Sequence, residues 1–292
     1  MGAECNLIRH FGKVQTVRAD SAQYPCKKES FVSLVVPATT ILETQDTHVH
    51  TLRSSCGLPE CTPKAVLERF QQLHFQVVCI TDHRHLDTDP ALFQETCADL
   101  LEIETPLDVY VGCEAEVLSP EIVSLPDWEA DIYDVILLAA SHYHVFDQYI
   151  PRVSTPRQMA EWVLALHRRA ASKPWADIIP HPFSHTESLG PWGDTAILES
   201  IRDDELIELA DMAKSNSIAI EFRLGHAISA AYREFLLRFT KTCVRRGVLL
   251  SSGSDAHSLD AVGITRTFLV PMRTLGIQNR HFLDIRTVVH NR

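Results

Sequence analysis

Eight cysteines are present, but no two are spaced as C-x-x-C, so a zinc ribbon has no support. There is no Gly-rich phosphate loop, no G-x-S-x-G elbow and no dinucleotide fingerprint. Phosphate-cradling loops, serine nucleophiles and nicotinamide chemistry therefore have no motif to rest on. Basic charge is in deficit: 27 Lys and Arg face 38 Asp and Glu, for a net charge of −11. That balance argues against a general nucleic-acid surface, and no aromatic–basic groove marks a single-strand binder. No apolar run approaches the roughly 20 residues of a membrane helix. Met1-Gly2-Ala3-Glu4-Cys5 lacks a basic segment leading into an apolar one. The expectation is a cytoplasmic protein with reduced thiols and no membrane partner. Repeats and low-complexity stretches are also lacking.

What is present is an alternation of short apolar runs and helical patterns. Runs rich in branched residues predict buried parallel strands at Asp46–His50, Val77–Thr81, Val109–Cys113, Val135–Ala140, Asp177–Pro180, Ile218–Phe222 and Val248–Ser252. Apolar residues at three- and four-residue spacing predict helices over Lys64–His74, Gln158–Ala171, Asp203–Lys214 and Ala227–Arg246. Thr62-Pro63 and Thr155-Pro156 read as an N-cap followed by proline at the first helical position. The connection from Glu116 to Asp134, with Pro120 and Pro126, reads mostly as loop. This order predicts a (β/α) barrel or a doubly wound sheet. Residues 1–40 form an irregular extension with a candidate edge strand at Phe31–Val36, and residues 41–292 form the main domain.

Chemistry-bearing residues recur at one kind of place. His48 and His50 share a strand face because side chains alternate with period two. Asp82 and His83, Glu114, His142, His181, and Asp255 with His257 each follow an apolar run. In parallel α/β folds that is the catalytic end of the sheet. Neutral imidazole and ionised carboxylate suit zinc, manganese and iron. The set is too large for one tetrahedral ion, and a carboxylate such as Glu114 can bridge two. Glu116 lies on the same strand face as Glu114, but the G-x-E pattern favours Glu114 as the ligand. Asp82 is expected to orient a ligand histidine. His85, His144 and His185 are expected in exposed loops.

Together the motifs resemble the PHP family, named for its polymerase-associated and histidinol-phosphatase members. The matching segments are His48-x-His50-Thr51, Thr81-Asp82-His83, Gly112-Cys113-Glu114, Ser141-His142, Pro180-His181-Pro182 and Gly253-Ser254-Asp255-Ala256-His257. The resemblance implies a distorted (β/α)7 barrel with two or three divalent metal ions. It implies that His48, His50, Glu114 and Asp255 hold one ion, and that Glu114 bridges to a second with His142 and His181. His83 and His257 then hold a third. The family often adds an Asp or His seven or eight residues after the first histidine, and here Ser55 and Cys56 stand there. Cys56 is either a thiolate ligand or a small packing residue.

The function these motifs imply is hydrolysis of a small phosphorylated metabolite or nucleotide by a metal-bound hydroxide, with Glu114, Asp255 and His257 around the reacting water. Arg223, Arg53 and Arg84 follow strand ends and are candidates to bind the phosphate. Three alternatives stay open: an exonuclease-like phosphodiesterase on short oligonucleotides, a C–N bond hydrolase, and a non-catalytic metal-binding protein of the same fold.

Overall fold

The computed structural model describes residues 40–224 and 229–289. All of them belong to the unit Thr39–Arg292. The N-terminal extension and its candidate edge strand at Phe31–Val36 lie outside the described residues.

Each predicted apolar run forms a strand, and every pairing between neighbouring strands is parallel. The strands are β1 (Gln45–Val49), β2 (Val77–Ile80), β3 (His83–Arg84), β4 (Asp108–Val111), β5 (Cys113–Glu116), β6 (Ile136–Ala139), β7 (Ile178–Ile179), β8 (Ala219–Glu221) and β9 (Leu250–Ser251). They run in two sheets, β1-β2-β4 and β3-β5-β6-β7-β8-β9. The sheets are one wall interrupted twice. Thr81 and Asp82 separate β2 from β3, and Gly112 separates β4 from β5. Main-chain bonds cross the break, from Gly112 N to Ile80 O at 2.8 Å and from Glu114 N to Asp82 O at 3.0 Å. Glycine is required there, because a Cβ on Gly112 would sit 2.1 Å from the Val135 carbonyl oxygen. The last strand returns to the first through Thr47 N to Ser252 O and Asp255 N to His48 O, both 2.8 Å. The result is a distorted (β/α)7 barrel.

The helices are α1 (Ile41–Thr44), α2 (Pro63–Gln72), α3 (Ala91–Leu101), α4 (Pro156–Ala171), α5 (Gly193–Glu199), α6 (Asp203–Ser215), α7 (Ala230–Arg246), α8 (Leu269–Thr274) and α9 (Arg286–Val289). The two predicted caps are real. Thr62 accepts a hydrogen bond from Ala65 N and Thr155 from Gln158 N, both at 3.2 Å, satisfying donors a helix start leaves orphaned. Between Glu116 and Asp134 the chain makes a Val117–Val123 bridge and a 3-10 turn at Asp127–Ile132, in keeping with the proline-rich loop expected there. Among the described residues no helix is long and apolar enough to cross a membrane.

An ion pair ties α4 to α6. Arg157 donates to both oxygens of Glu205, at 2.6 and 2.8 Å, and Glu205 also accepts from Arg202 N at the start of α6. The Arg157 hydrogen bonds hold the buried Glu205 carboxyl down at about 2. A depressed folded pKa stabilises above the unfolded value and is lost as pH falls towards the folded one. Glu205→Gln is therefore expected to cost about 1–2 kcal/mol at pH 7. The gap from wild type should narrow as pH drops from about 4.5 towards 2. Urea midpoints at pH 7 and pH 3 measure this, and an equal gap at both would contradict the assignment.

Candidate metal centre

The barrel gathers its imidazoles and carboxylates at the C-terminal ends of the strands. His48, His50 and Glu114 are fully buried, Glu116 and Glu221 nearly so. The β3–β5 register sets His83 beside Glu114. His181 and Asp255, just past β7 and β9, hold left-handed backbone at φ 27° and 56°. Residues other than glycine tolerate that conformation mainly where the surroundings enforce it.

Four donor atoms converge first. His48 Nε2 lies 3.0 Å from His50 Nε2, 3.3 Å from Glu114 Oε2 and 3.4 Å from Asp255 Oδ1. His50 Nε2 lies 3.4 and 3.3 Å from the same two oxygens. A tetrahedral ion with donors at its usual bond lengths spaces them by about 3.4 Å. The second oxygen of Glu114 turns to another group, 2.7 Å from His181 Nε2 and 3.6 Å from His142 Nε2. Within 4.8 Å of one another also lie donor atoms of His50, His83 and His257, and of His83, Glu116 and His142. Glu114 thus belongs to two groups through its two oxygens.

Hydrogen bonds behind the rings decide which nitrogen is free. His48 Nδ1 is 2.9 Å from Glu221 Oε1, His50 Nδ1 is 2.8 Å from Ser54 Oγ, and His181 Nδ1 is 2.9 Å from Ser141 Oγ. His257 Nδ1 donates to the Asp255 carbonyl at 2.9 Å. A proton fixed on Nδ1 leaves the Nε2 lone pair pointing inward. Asp82 acts as expected of an orienting residue: it accepts from Ser54 Oγ at 2.8 Å, and Ser54 in turn meets His50.

The charge balance agrees. Glu114, Glu116, Glu221 and Asp255 crowd together, and Arg223 donates to Asp255 Oδ2 at 2.7 Å. Burial opposes ionisation of Glu114, yet His48, His142 and His83 pull its pKa well below the usual carboxylate range. Burial also opposes charge on His50, but hydrogen bonds to Asp255 and Glu114 lift its pKa to about 9. His48 is raised further, against its burial, by Glu114, Asp255 and Glu221. Burial depresses His83, and with His50 nearby it brings His257 down to about 4. Without other cations, protons on His48 and His50 neutralise these carboxylates. His83 Nδ1, His142 Nδ1, Glu114 Oε2 and both Glu116 oxygens are buried with no hydrogen-bond partner among the described residues. Orphaned donors of this kind, all hard or borderline ligands, fit divalent ions.

Of the expected residues, His48, His50, His83, Glu114, His142, His181, Asp255 and His257 come together here. Cys56 does not. It lies in the turn after Thr51 and joins none of the donor groups among the described residues, and without a bound cation burial of its sulfur with Glu114 nearby pushes the thiol up to about 12. Arg53 is committed to Asp99 at 2.7 Å and Arg84 to Glu129 at 2.7 and 2.8 Å, although both line a cavity with Asp82 and His83. Of the three arginines, Arg223 is the one beside the cluster. Sequence reasoning gave Glu221 no role, although it stands at a strand end like the ligands, and it set Glu116 aside in favour of Glu114. Gly253 shows how close Glu221 stands: a Cβ there would lie 1.9 Å from Glu221 Oε1 and 2.7 Å from His48 Cβ.

A family model described as the PHP domain matches residues 46–224. Among solved structures, the chain is similar to histidinol phosphate phosphatase from Lactococcus lactis subsp. lactis, complexed with zinc, L-histidinol and phosphate. The identity is 14%, with 83% of this chain and 99% of that one covered at a TM-score of 0.56. It is also similar to a candidate histidinol phosphatase from Listeria monocytogenes, at 11% identity, with 75% and 97% covered and a TM-score of 0.54. At such identities the likeness is one of fold. No curated protein sequence matches.

Proposed function

The chain belongs to the PHP domain family, and from that premise we propose that it is a metal-dependent phosphoesterase acting on a small phosphorylated metabolite or nucleotide. One observation carries the reading: the two oxygens of Glu114 face two separate donor groups, His48–His50–Asp255 and His142–His181. Zinc, manganese or iron ions held there supply Lewis acidity, activating water at neutral pH and offsetting charge on a phosphoryl group.

The chain's own residues do the rest. Glu114 would hold both ions, one through each oxygen. Asp255 turns one oxygen to the donors and the other to Arg223, so the guanidinium charge stands at the edge of the site. The role of meeting a substrate phosphate goes to Arg223 in this reading, supported by its contact with Asp255 at 2.7 Å. His257 is half-exposed at 32% and neutral, with Nδ1 pinned by the Asp255 carbonyl. That leaves Nε2 as the nitrogen able to ligate an ion or accept a proton.

The test is a substrate panel on chelator-stripped and metal-reloaded protein. Phosphomonoesters are expected to release phosphate only after reloading, at least about 10²-fold above short oligonucleotide diesters and amides. Reloaded protein that cleaves amides or diesters but no monoester would overturn the assignment.

A further inference from the structure

Glu116 has no part in the scheme above, yet it is the more unusual carboxylate. It lies two residues beyond Glu114 on β5, so strand alternation brings it to the same inner face, and it is 1% exposed. Among the described residues neither of its oxygens has an aligned hydrogen-bond partner. Three imidazole nitrogens crowd one of them: Oε1 lies 3.0 Å from His85 Nδ1, 3.3 Å from His83 Nδ1 and 3.5 Å from His142 Nδ1. All three nitrogens are themselves buried and unpartnered. A buried carboxylate without partners costs several kcal/mol on typical scales, more than a fold retains without return. The donor atoms of His83, Glu116 and His142 all lie within 4.8 Å of one another.

We propose that Glu116, His83 and His142 form a further divalent-cation site, distinct from the two that share Glu114. Two imidazoles and one carboxylate select a borderline ion such as zinc or iron over magnesium or calcium. His85 stacks on His83, with ring centroids 4.8 Å apart at 19°, and brings its Nδ1 to within 3.0 Å of the same Glu116 oxygen. His142 turns Nε2 to Glu114 and Nδ1 to Glu116. A neutral imidazole has one lone pair, so His142 can serve both ions only as a bridging imidazolate that has given up its second N–H proton, and the ion at Glu116 is therefore the weakest bound. This inference rests on the metal-hydrolase reading.

The experiment is equilibrium dialysis of the full chain against zinc alone, with the ions counted by elemental analysis, for wild type, Glu116→Gln and His257→Ala. Wild type is expected to take up three ions. Glu116→Gln should lose the weakest binding event, by at least about 10-fold in affinity, and keep two. His257→Ala should keep three. Equal zinc uptake by wild type and Glu116→Gln overturns the site while leaving the Glu114 pair intact, whereas a wild type that binds no zinc fails the underlying reading instead. Should Glu116→Gln not fold by circular dichroism, zinc-edge anomalous diffraction from wild-type crystals decides. A peak between Glu116 and His83 supports the proposal, and a third ion between His83 and His257 overturns it.

Discussion

Glu114→Gln is expected to lower kcat/KM for a phosphate ester by about 10³-fold or more and to release the two ions that share this residue. Its oxygens stand 2.7 Å from His181 Nε2 on one side and 3.3 and 3.4 Å from His48 and His50 on the other. An amide keeps the shape but loses the charge, and its NH2 turns a donor towards one group of ligands. The loss should exceed that of any change at the rim. Steady-state kinetics at saturating metal, paired with calorimetric titration, measures both effects. Near-normal turnover by Glu114→Gln at saturating metal would end the shared-carboxylate account.

Glu221→Gln is the second large effect, and it acts without touching an ion. Glu221 accepts from His48 Nδ1 at 2.9 Å and from the main-chain N–H of His181 at 2.7 Å, so one carboxylate orients two ligands in different groups. Losing its charge weakens the lone pair that His48 presents and frees its ring. Such partners are typically worth 10- to 100-fold in metal affinity. The metal concentration for half-activation should rise by that factor, while kcat at saturating metal stays within about 3-fold of wild type. A purely structural role would instead lower the unfolding midpoint and leave half-activation alone.

Much of this arrangement could be read along the chain because strand alternation is local. Two residues apart on β1 fixes His48 and His50 on one face, and each remaining ligand follows an apolar run whose end is visible in sequence. The seven strand positions were legible for the same reason, to within a few residues. What sequence could not show depends on partners distant in the chain. Glu221 matters because Gly253 lets it approach His48, 173 positions away. Glu116 was set aside because nothing local shows that His83, His85 and His142 close around it. Arg223 was the preferred arginine on sequence, but nothing local shows that Arg84 pairs with Glu129, 45 positions away. Cys56 stays outside the donor groups among the described residues, in an exposed turn whose course the sequence does not give. The helix α3 escaped notice because Thr96 is its one fully buried residue, so it carries little amphipathic pattern.

The most direct measurement is the number of metal ions per chain in protein purified without chelator, by elemental analysis. The donor geometry predicts at least two zinc, manganese or iron ions per chain, falling together when Glu114 is replaced. A chain that carries no metal after loading and gentle dialysis would contradict it, leaving a barrel that holds its buried carboxylates with protons alone.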